Sequence, residues 1–198
     1  MKRFTLFLSA LAIGVFPASM SADAVFAVQS TIAAPGSTGN GLDVFLETTS
    51  GLNIAGFAVE VTTTDPFITF TGATTGTATP YIFNGNSVFG PGIGTTGAPS
   101  QTYDASDLAI ATPTNISGTV GLAHFTFDVA NGATTGPFAV SLTTLGNSLS
   151  DPNGNGIPIT ALDNGTITIE PSSSVPEPEL GLWAIALGGC LLAFRRKR

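Results

Sequence analysis

The sequence predicts an all-β domain, a β-sandwich, over residues 25–170. Short runs alternate apolar and polar side chains with a period of two, and clusters of Gly, Asn, Asp and Pro separate them. No segment of this region sustains a helical spacing of apolar residues over three turns. Alternation of this kind is typical of half-buried antiparallel strands, because successive side chains leave opposite faces of a sheet. We therefore expect eight to ten short strands joined by polar turns.

Five alternating runs define the expected strands most clearly. They are LDVFLET (42–48), GFAVEVTT (56–63), LAHFTFDVA (122–130), FAVSL (138–142) and GTITIE (165–170). In the first run, Leu42 and Val44 are expected to face the core, and Asp43 is expected to face solvent. In the third run, Phe125 and Phe127 are expected to face the core.

The connections between strands carry residues that are typical of turns. Asp163-Asn164-Gly165 stands between two apolar alternations and predicts a tight hairpin turn with positive φ. Residues 72–113 alternate only in fragments, so we expect long loops there with one or two irregular strands. Aromatic side chains, Phe83, Phe89 and Tyr103, are expected to order this segment.

The charges are distributed unevenly along the chain. Its only cations are Lys2, Arg3 and residues 195–198, whereas ten carboxylates and no Lys or Arg lie between Val25 and Glu170. This region should carry about ten negative charges at neutral pH, with no Lys or Arg to pair with them. Nucleic-acid binding is excluded, because it requires cations that replace the counterions of phosphate.

Residues 1–24 have the organisation of a secretory signal peptide. A charged start is followed by an apolar stretch and by a region of small residues in which Ala22 and Ala24 form an A-x-A pattern. We expect signal peptidase to cleave after Ala24, with Ala27 as a later alternative. The protein is therefore expected to be exported.

The other end of the chain predicts a linker and a membrane anchor. Residues 171–179 are rich in Ser, Pro and Glu and indicate an extended linker. The apolar stretch from Leu180 to Phe194 predicts a transmembrane helix of about 22 Å, somewhat shorter than a bilayer core of about 30 Å. Trp183 suits the membrane interface, and the basic residues that follow should remain inside, leaving the body outside.

The order of these features resembles the PEP-CTERM sorting signal. Pro176, Glu177 and Pro178 precede the apolar stretch, and Arg195, Arg196, Lys197 and Arg198 end the chain. The resemblance implies that exosortase, a membrane protease-transpeptidase, recognises the triplet and cleaves near it, and that the basic residues act as the stop. Residues 180–198 then form the helix and basic tail of the signal.

The body resembles a cohesin-like domain, a jelly-roll β-sandwich. Three stretches carry the resemblance: APGSTGNGLDVFLETTSGLNIAGFAVEVTTTDPFITF, GTVGLAHFTFDVANGATTGPFAVSL and LSDPNGNGIPITALDNGTITI, of which the last is similar to a closing hairpin. Cohesins are known for binding dockerin modules. No dockerin-contact residue can be carried over, and residues 72–113 depart from the scaffold cohesins, so the resemblance implies the fold and leaves the partner open.

One stretch matches half of a calcium-binding loop. Asp151, Asn153 and Asn155 place oxygen ligands at alternate positions before a glycine, as a hard cation requires. The twelfth position is Leu162, where a bidentate Glu is needed. The alternative interpretation is a turn before the final strands, without an ion.

Catalytic chemistry has few candidates in this sequence. His124, the only histidine, is expected to share the solvent face of its strand with Thr126 and Asp128. Asp104 and Asp107 are spaced like a carboxylate pair but are expected to lie in a solvated loop. We therefore expect a protein that is not an enzyme and has no cofactor apart from the calcium considered above.

Aromatic side chains offer one further kind of site. Tyr81, Phe83, Phe89 and Tyr103 are candidates for stacking on sugars, with core packing as the alternative for the phenylalanines. We expect an exported surface or extracellular-matrix protein, first anchored in the inner membrane through its C-terminal helix alone. Its cohesin-like domain is expected to bind extracellular polysaccharide or another surface protein. The alternative is a carbohydrate-binding or calcium-dependent adhesion module.

Overall fold

The structure, a computed structural model, describes residues 23–111 and 113–171 and is built there from thirteen β-strands. These strands are β1 (Ala24–Val28), β2 (Thr31–Ala33), β3 (Asn40–Ile54), β4 (Gly56–Thr63), β5 (Ile68–Thr74), β6 (Gly94–Thr96), β7 (Thr102–Leu108), β8 (Thr114–Val129), β9 (Gly136–Leu142), β10 (Ser148–Ser150), β11 (Gly156–Ile157), β12 (Ala161–Asp163) and β13 (Gly165–Ile169). The number exceeds the eight to ten expected because several strands have only two or three residues. Within the described ranges, no helix is long and apolar enough to cross a membrane.

The strands form two sheets that pack face to face, which confirms the predicted all-β sandwich. The first sheet has the order β12-β1-β3-β8-β5. The second has the order β11-β10-β4-β9-β13-β2, in which β10 and β9 pair with the two ends of the same edge of β4. β7 pairs along the opposite edge of β4 and carries β6. In the first sheet β3 and β8 pair along most of their length, from Asn40 opposite Phe127 to Ile54 opposite Thr114.

The core lies between the two sheets and consists of the apolar members of the alternating runs. Leu42, Val44, Phe125 and Phe127 are buried, as the alternation predicts. Phe125 of the first sheet meets Tyr103 of the second edge-to-face, with ring centroids 6.5 Å apart. Such aromatic contacts join the sheets, because each ring buries a large apolar area.

The turn at residues 163–165 is not a hairpin, which corrects the expectation from sequence. β12 pairs in parallel with β1 in the first sheet, whereas β13 pairs with β9 and β2 in the second. The chain therefore crosses between the sheets at Asn164. Gly165 does not adopt positive φ. A glycine is needed there because the backbone lies close to Val28, and a Cβ added to Gly165 would lie 2.6 Å from Cγ1 of Val28.

The closing hairpin lies earlier in the same stretch. β10 and β11 pair with Leu149 opposite Ile157, and the residues between these strands form the turn. Gly154 has a φ of 80° there, a value that glycine adopts without the steric cost of a Cβ. The stretch DPNGNG is thus the turn of a hairpin.

The sandwich has two distinct ends. At the first, here called the distal end, Ile54 pairs with Thr114, and Gly56 pairs with Leu108. At the second, called the exit end, β13 finishes at Ile169 between Gly136 and Ala33. The chain toward residue 171 therefore leaves at the end opposite Leu108.

Residues 72–113 are more ordered than the sequence suggests. They contain two strands, and β7 is a regular strand that pairs with β4 over seven residues. Ahead of these strands, Tyr81 bridges in parallel to Gly121, and the Ile82 N–H donates to the Gly121 carbonyl at 2.9 Å. This contact extends the first sheet along β8 beyond the end of β5.

The predicted signal-peptide cleavage sites lie at the start of β1. Ala22 is outside the described residues, and Ala24 is buried as the first residue of the strand. Cleavage after Ala27 would remove four of the five residues of β1, whereas cleavage after Ala24 would remove only the first, so the strand favours Ala24. The cleavage itself stays a prediction.

The contact between the sheets predicts the effect of a core truncation. We expect Phe125→Ala to lower the free energy of unfolding by about 3–5 kcal/mol, because it removes contacts to Phe70 and Tyr103 and leaves a cavity. Urea unfolding followed by circular dichroism measures this value. Phe125→Leu is the matched control and should cost less; a loss below about 1 kcal/mol for the alanine variant would contradict this packing.

Candidate binding surface at the distal end

Three aromatic side chains pack together at the distal end. Phe57 is the second residue of β4, and Tyr81 and Phe83 belong to the segment between β5 and β6. Phe57 and Phe83 are stacked with ring centroids 5.8 Å apart, and Tyr81 meets both edge-to-face at 6.4 and 6.3 Å. The cluster fixes the otherwise irregular segment against the second sheet.

A buried carboxylate lies beside this cluster. Asp107 occupies an inward position of β7 and is 1% exposed. Its Oδ2 accepts a hydrogen bond from the Tyr81 hydroxyl at 2.5 Å, and its Oδ1 accepts one from the Leu108 N–H at 2.7 Å. Burial raises the pKa of Tyr81, and the hydrogen bond to Asp107 and the nearby carboxylate charge raise it further, so that Tyr81 remains a neutral donor.

The exposed apolar residues of this end lie on a short two-stranded ribbon. Ser87 forms a bridge to Ala109, the Val88 N–H donates to Leu108, and the Ile110 N–H donates to Asn86. With this pairing Val88, Leu108 and Ile110 share the outward face. Their side chains are exposed by 49%, 51% and 65%. We call this outward face, together with Phe89, the distal ribbon face.

A cavity of about 430 Å³ opens beside the distal ribbon face. Its apolar walls include Tyr81, Phe83 and Ile110, and polar side chains at its edge include Asn84 and Ser87. Asp107 lies behind Tyr81 through the hydrogen bond between them. An apolar surface next to a cavity with polar edges is typical of a binding site.

The four aromatic candidates for sugar stacking are in different environments. Phe83 is fully buried and Tyr103 is 7% exposed, so both serve the core. Tyr81 is half-buried and committed to Asp107 through its hydroxyl. Phe89 is 51% exposed, against the core-packing alternative. The structure thus leaves one of the four with an open ring.

The acid pair does not lie in a solvated loop, which corrects that expectation. Both residues belong to β7, where Asp104 faces outward and accepts a hydrogen bond from Thr96 at 2.9 Å. Asp107 points inward, as described above. The two carboxylates therefore face opposite sides of the sheet and do not share a substrate.

His124 has a partner that sequence reasoning missed. Asp43 lies opposite His124 in the β3–β8 register, and its Oδ1 is 2.6 Å from Nδ1 of the histidine. Asp43 is 3% exposed although it belongs to the outer face, since the Ala78 N–H covers it and donates to Oδ2 at 2.7 Å. The expected neighbours are engaged elsewhere: Thr126 pairs with Thr71, and Asp128 accepts from Gly39.

The proposed calcium ligands form a hydrogen-bonded turn. Asp151 Oδ1 accepts the backbone N–H groups of Asn153 and Asn155, each at 2.8 Å. The side-chain amide of Asn155 donates to Oδ2 at 3.0 Å. Hydrogen bonds from Asn155, first from its side chain and then from its backbone, lower the pKa of the Asp151 carboxyl. This geometry favours the turn interpretation over the calcium site, which no observation tests.

The remaining candidate residues lie outside the described part of the chain. This applies to the triplet Pro176 to Pro178, the basic residues Arg195 to Arg198 and the predicted transmembrane helix. Within residues 23–111 and 113–171, no group of three or more His, Cys, Asp or Glu side chains could hold a metal ion.

The contact between Tyr81 and Asp107 predicts an alkaline limit of stability. Because the pKa of Tyr81 is raised in the folded state, its contribution is complete below the unfolded value of 10.0 and is lost as the pH rises above it. We expect the free energy of unfolding to fall above pH 10 in urea titrations. Tyr81→Phe should cost about 1–3 kcal/mol at neutral pH and should weaken this alkaline decline. An unchanged decline in the variant would contradict the assignment.

The hydrogen-bonded turn at Asp151 predicts that calcium does not change the thermal stability of the protein. Since Asn153 and Asn155 already satisfy the carboxylate with hydrogen bonds, we expect the same melting temperature in millimolar calcium and in excess chelator. Asp151→Ala should lower the melting temperature equally in both solutions. A rise with calcium that Asp151→Ala abolishes would establish the ion site instead.

Comparison with known proteins shows the fold. No protein-family model and no curated protein matches the chain. A solution structure of CaCohA2 from Clostridium acetobutylicum is similar, with a TM-score of 0.58 and 15% identity over 76% of this chain and 93% of that chain. The sixth cohesin of scaffoldin B from Acetivibrio cellulolyticus, solved in complex with a mutated Cel5 dockerin, has a TM-score of 0.58 and 18% identity over 75% of this chain and 99% of its own.

A third similar structure is the non-cellulosomal cohesin from the archaeon Archaeoglobus fulgidus. Its TM-score is 0.55, with 14% identity over 77% of this chain and 94% of that chain. Identities this low are evidence of shared architecture and not of shared activity. The described part of this chain is therefore a cohesin-like β-sandwich.

Proposed function

We propose that the protein is an exported, non-catalytic module that binds a partner protein outside the cell through the distal ribbon face. The observation that carries this proposal is an apolar face at the end of the sandwich opposite the exit of the chain. Val88, Leu108 and Ile110 are about half exposed or more there, and soluble proteins rarely leave such side chains clustered without a partner.

The proposed location of the module outside the cell depends on the two predicted terminal signals. Signal peptidase removes residues 1–24, and the C-terminal helix holds the precursor in the inner membrane. Exosortase then recognises Pro176 to Pro178 and transfers the body to the cell surface or matrix. The position of the exit end supports this arrangement, because the chain toward residue 171 leaves at the end of the sandwich opposite the distal ribbon face.

A protein partner suits the surface better than a polysaccharide. Sugar binding uses flat aromatic rings, and of the aromatic candidates only Phe89 presents an exposed ring. The rest of the face is aliphatic, which suits the apolar centre of a protein interface. Solved cohesins of the same fold include the scaffoldin B module bound to a dockerin, so the architecture supports protein binding elsewhere.

A non-catalytic role is supported by the way in which the polar clusters are used. His124 and Asp43 hold the loop at Ala78, and Asp107 holds Tyr81. Each pair is occupied with structural hydrogen bonds. Hydrolysis of the triad type requires a serine, threonine or cysteine nucleophile, and the hydrogen bonds of the described residues join neither pair to such a side chain.

Photocrosslinking in the native cell tests whether the distal ribbon face binds a partner protein, and the same material tests the processing of the termini. Amine-reactive reagents are unsuitable because residues 4–194 contain no lysine, so p-benzoylphenylalanine is placed at Phe89. The matched control position is Ile32, which is 64% exposed near the exit end. We expect one protein to crosslink from position 89 and none from position 32.

Intact mass of the uncrosslinked material gives the termini in the same experiment. We expect a first residue of Val25 and a last residue near Pro176. A mass that retains Arg198 would contradict sorting cleavage. Crosslinks to polysaccharide alone, or equal crosslinking from both positions, would contradict protein binding through the distal ribbon face.

A further inference from the structure

The cavity beside the distal ribbon face has an unusual electrostatic setting. Asp107 is a buried carboxylate with hydrogen bonds from a neutral hydroxyl and a backbone N–H, and no Lys or Arg lies anywhere between residues 4 and 194. Its charge is therefore not offset by a cation of the body. A buried charge acts over several ångströms, since the protein interior screens it less than water does.

The walls of the cavity favour a cation as well. Tyr81 lines it, and aromatic faces attract the cationic groups of lysine and arginine. The aliphatic side chain of Ile110 also lines it and can pack against the methylene stem of such a residue. The volume of about 430 Å³ accommodates a long side chain together with its neighbours.

From these contacts we infer that the cavity receives an arginine or lysine side chain, presented by an apolar segment of the partner protein. The inference rests on the proposed function and names the chemistry of the partner. In this arrangement the cation lies against Tyr81 with Asp107 behind it, and apolar neighbours of the cation cover Val88 and Phe89.

Charge complementarity favours a cationic segment of a partner protein over a second copy of this chain or an anionic membrane. Eleven carboxylates and no Lys or Arg lie between Asp23 and residue 171, so a second copy of the described body would repel the first and has no Lys or Arg to offer. An anionic membrane surface would be repelled for the same reason. A segment with apolar and cationic side chains is stabilised by apolar contacts with the distal ribbon face and by attraction to the charge of Asp107.

A peptide series tests the charge requirement directly. The probes are fluorescent, capped peptides with one central guest residue between leucines, in which the guest is arginine, citrulline or glutamate. Citrulline is the matched control because it keeps nearly the shape of arginine without its charge, with a urea carbonyl oxygen in place of one guanidinium nitrogen. The full chain is used in nonionic detergent, and binding is measured by fluorescence anisotropy. We expect the citrulline peptide to bind about tenfold more weakly than the arginine peptide, and the glutamate peptide more weakly still.

Five variants locate the binding site. Phe89→Ser and Ile110→Ser change exposed residues and should weaken binding of the arginine peptide several-fold. Ile32→Ser, near the exit end, should leave this binding unchanged. Asp107→Asn keeps an acceptor for Tyr81 and removes the charge, so it should abolish the difference between arginine and citrulline. Its matched control is Asp104→Asn, which removes an outward charge from the same strand and should preserve the difference.

The outcomes separate this inference from the proposed function. Equal binding of the arginine and citrulline peptides, no binding of either, or a difference that survives in folded Asp107→Asn overturns the inference. If photocrosslinking from position 89 still captures one protein, the proposed function stands. If Asp107→Asn is unfolded by circular dichroism, the peptide series and the two serine variants at the ribbon decide the inference without it.

Discussion

The pairing of β3 with β8 determines where most other features of the molecule lie. These strands have 15 and 16 residues and run from the exit end to the distal end at the centre of the first sheet. Their register sets Asp43 opposite His124 and Ile54 opposite Thr114. β5 covers the other edge of β8 as far as His124, and the segment at Tyr81 continues along it at Gly121. The segment that carries the candidate surface is therefore built onto this pair.

Buried acids in this fold are satisfied without arginine or lysine. Asp107 uses the Tyr81 hydroxyl and a backbone N–H, Asp43 uses His124 and the Ala78 N–H, and Asp65 accepts the Phe67 N–H at 2.7 Å. Hydrogen bonds to a buried carboxylate replace those lost from water, whereas an unpaired one would be costly. The same solution leaves the negative charge of Asp107 available to a partner, which links the stability of the distal end to its proposed recognition.

The two ends of the sandwich divide the roles of the protein. In the proposed function, the predicted terminal signals determine where the chain is delivered, and the chain toward residue 171 leaves at the exit end. The distal ribbon face, at the other end, is the proposed binding surface. Residues 72–113 build this face, and a partner different from a dockerin is consistent with the shared fold. Fold and recognition are separable in the proposed function, since the sandwich supplies rigidity and this segment supplies the contact surface.

The sequence by itself determined the all-β class, the core faces of the main strands and the absence of Lys and Arg from the body, and it predicts the terminal signals. Each of these depends on local patterns of side chains, which alternation and composition express directly. Only the tertiary structure decided that the turn at Asn164 crosses between sheets, because a hairpin and a crossover use the same turn residues. Long-range pairing likewise decided that Asp43 and Asp107 are buried. Alternation places a residue on a face of a sheet, but whether another segment covers that face depends on contacts between residues far apart in the chain.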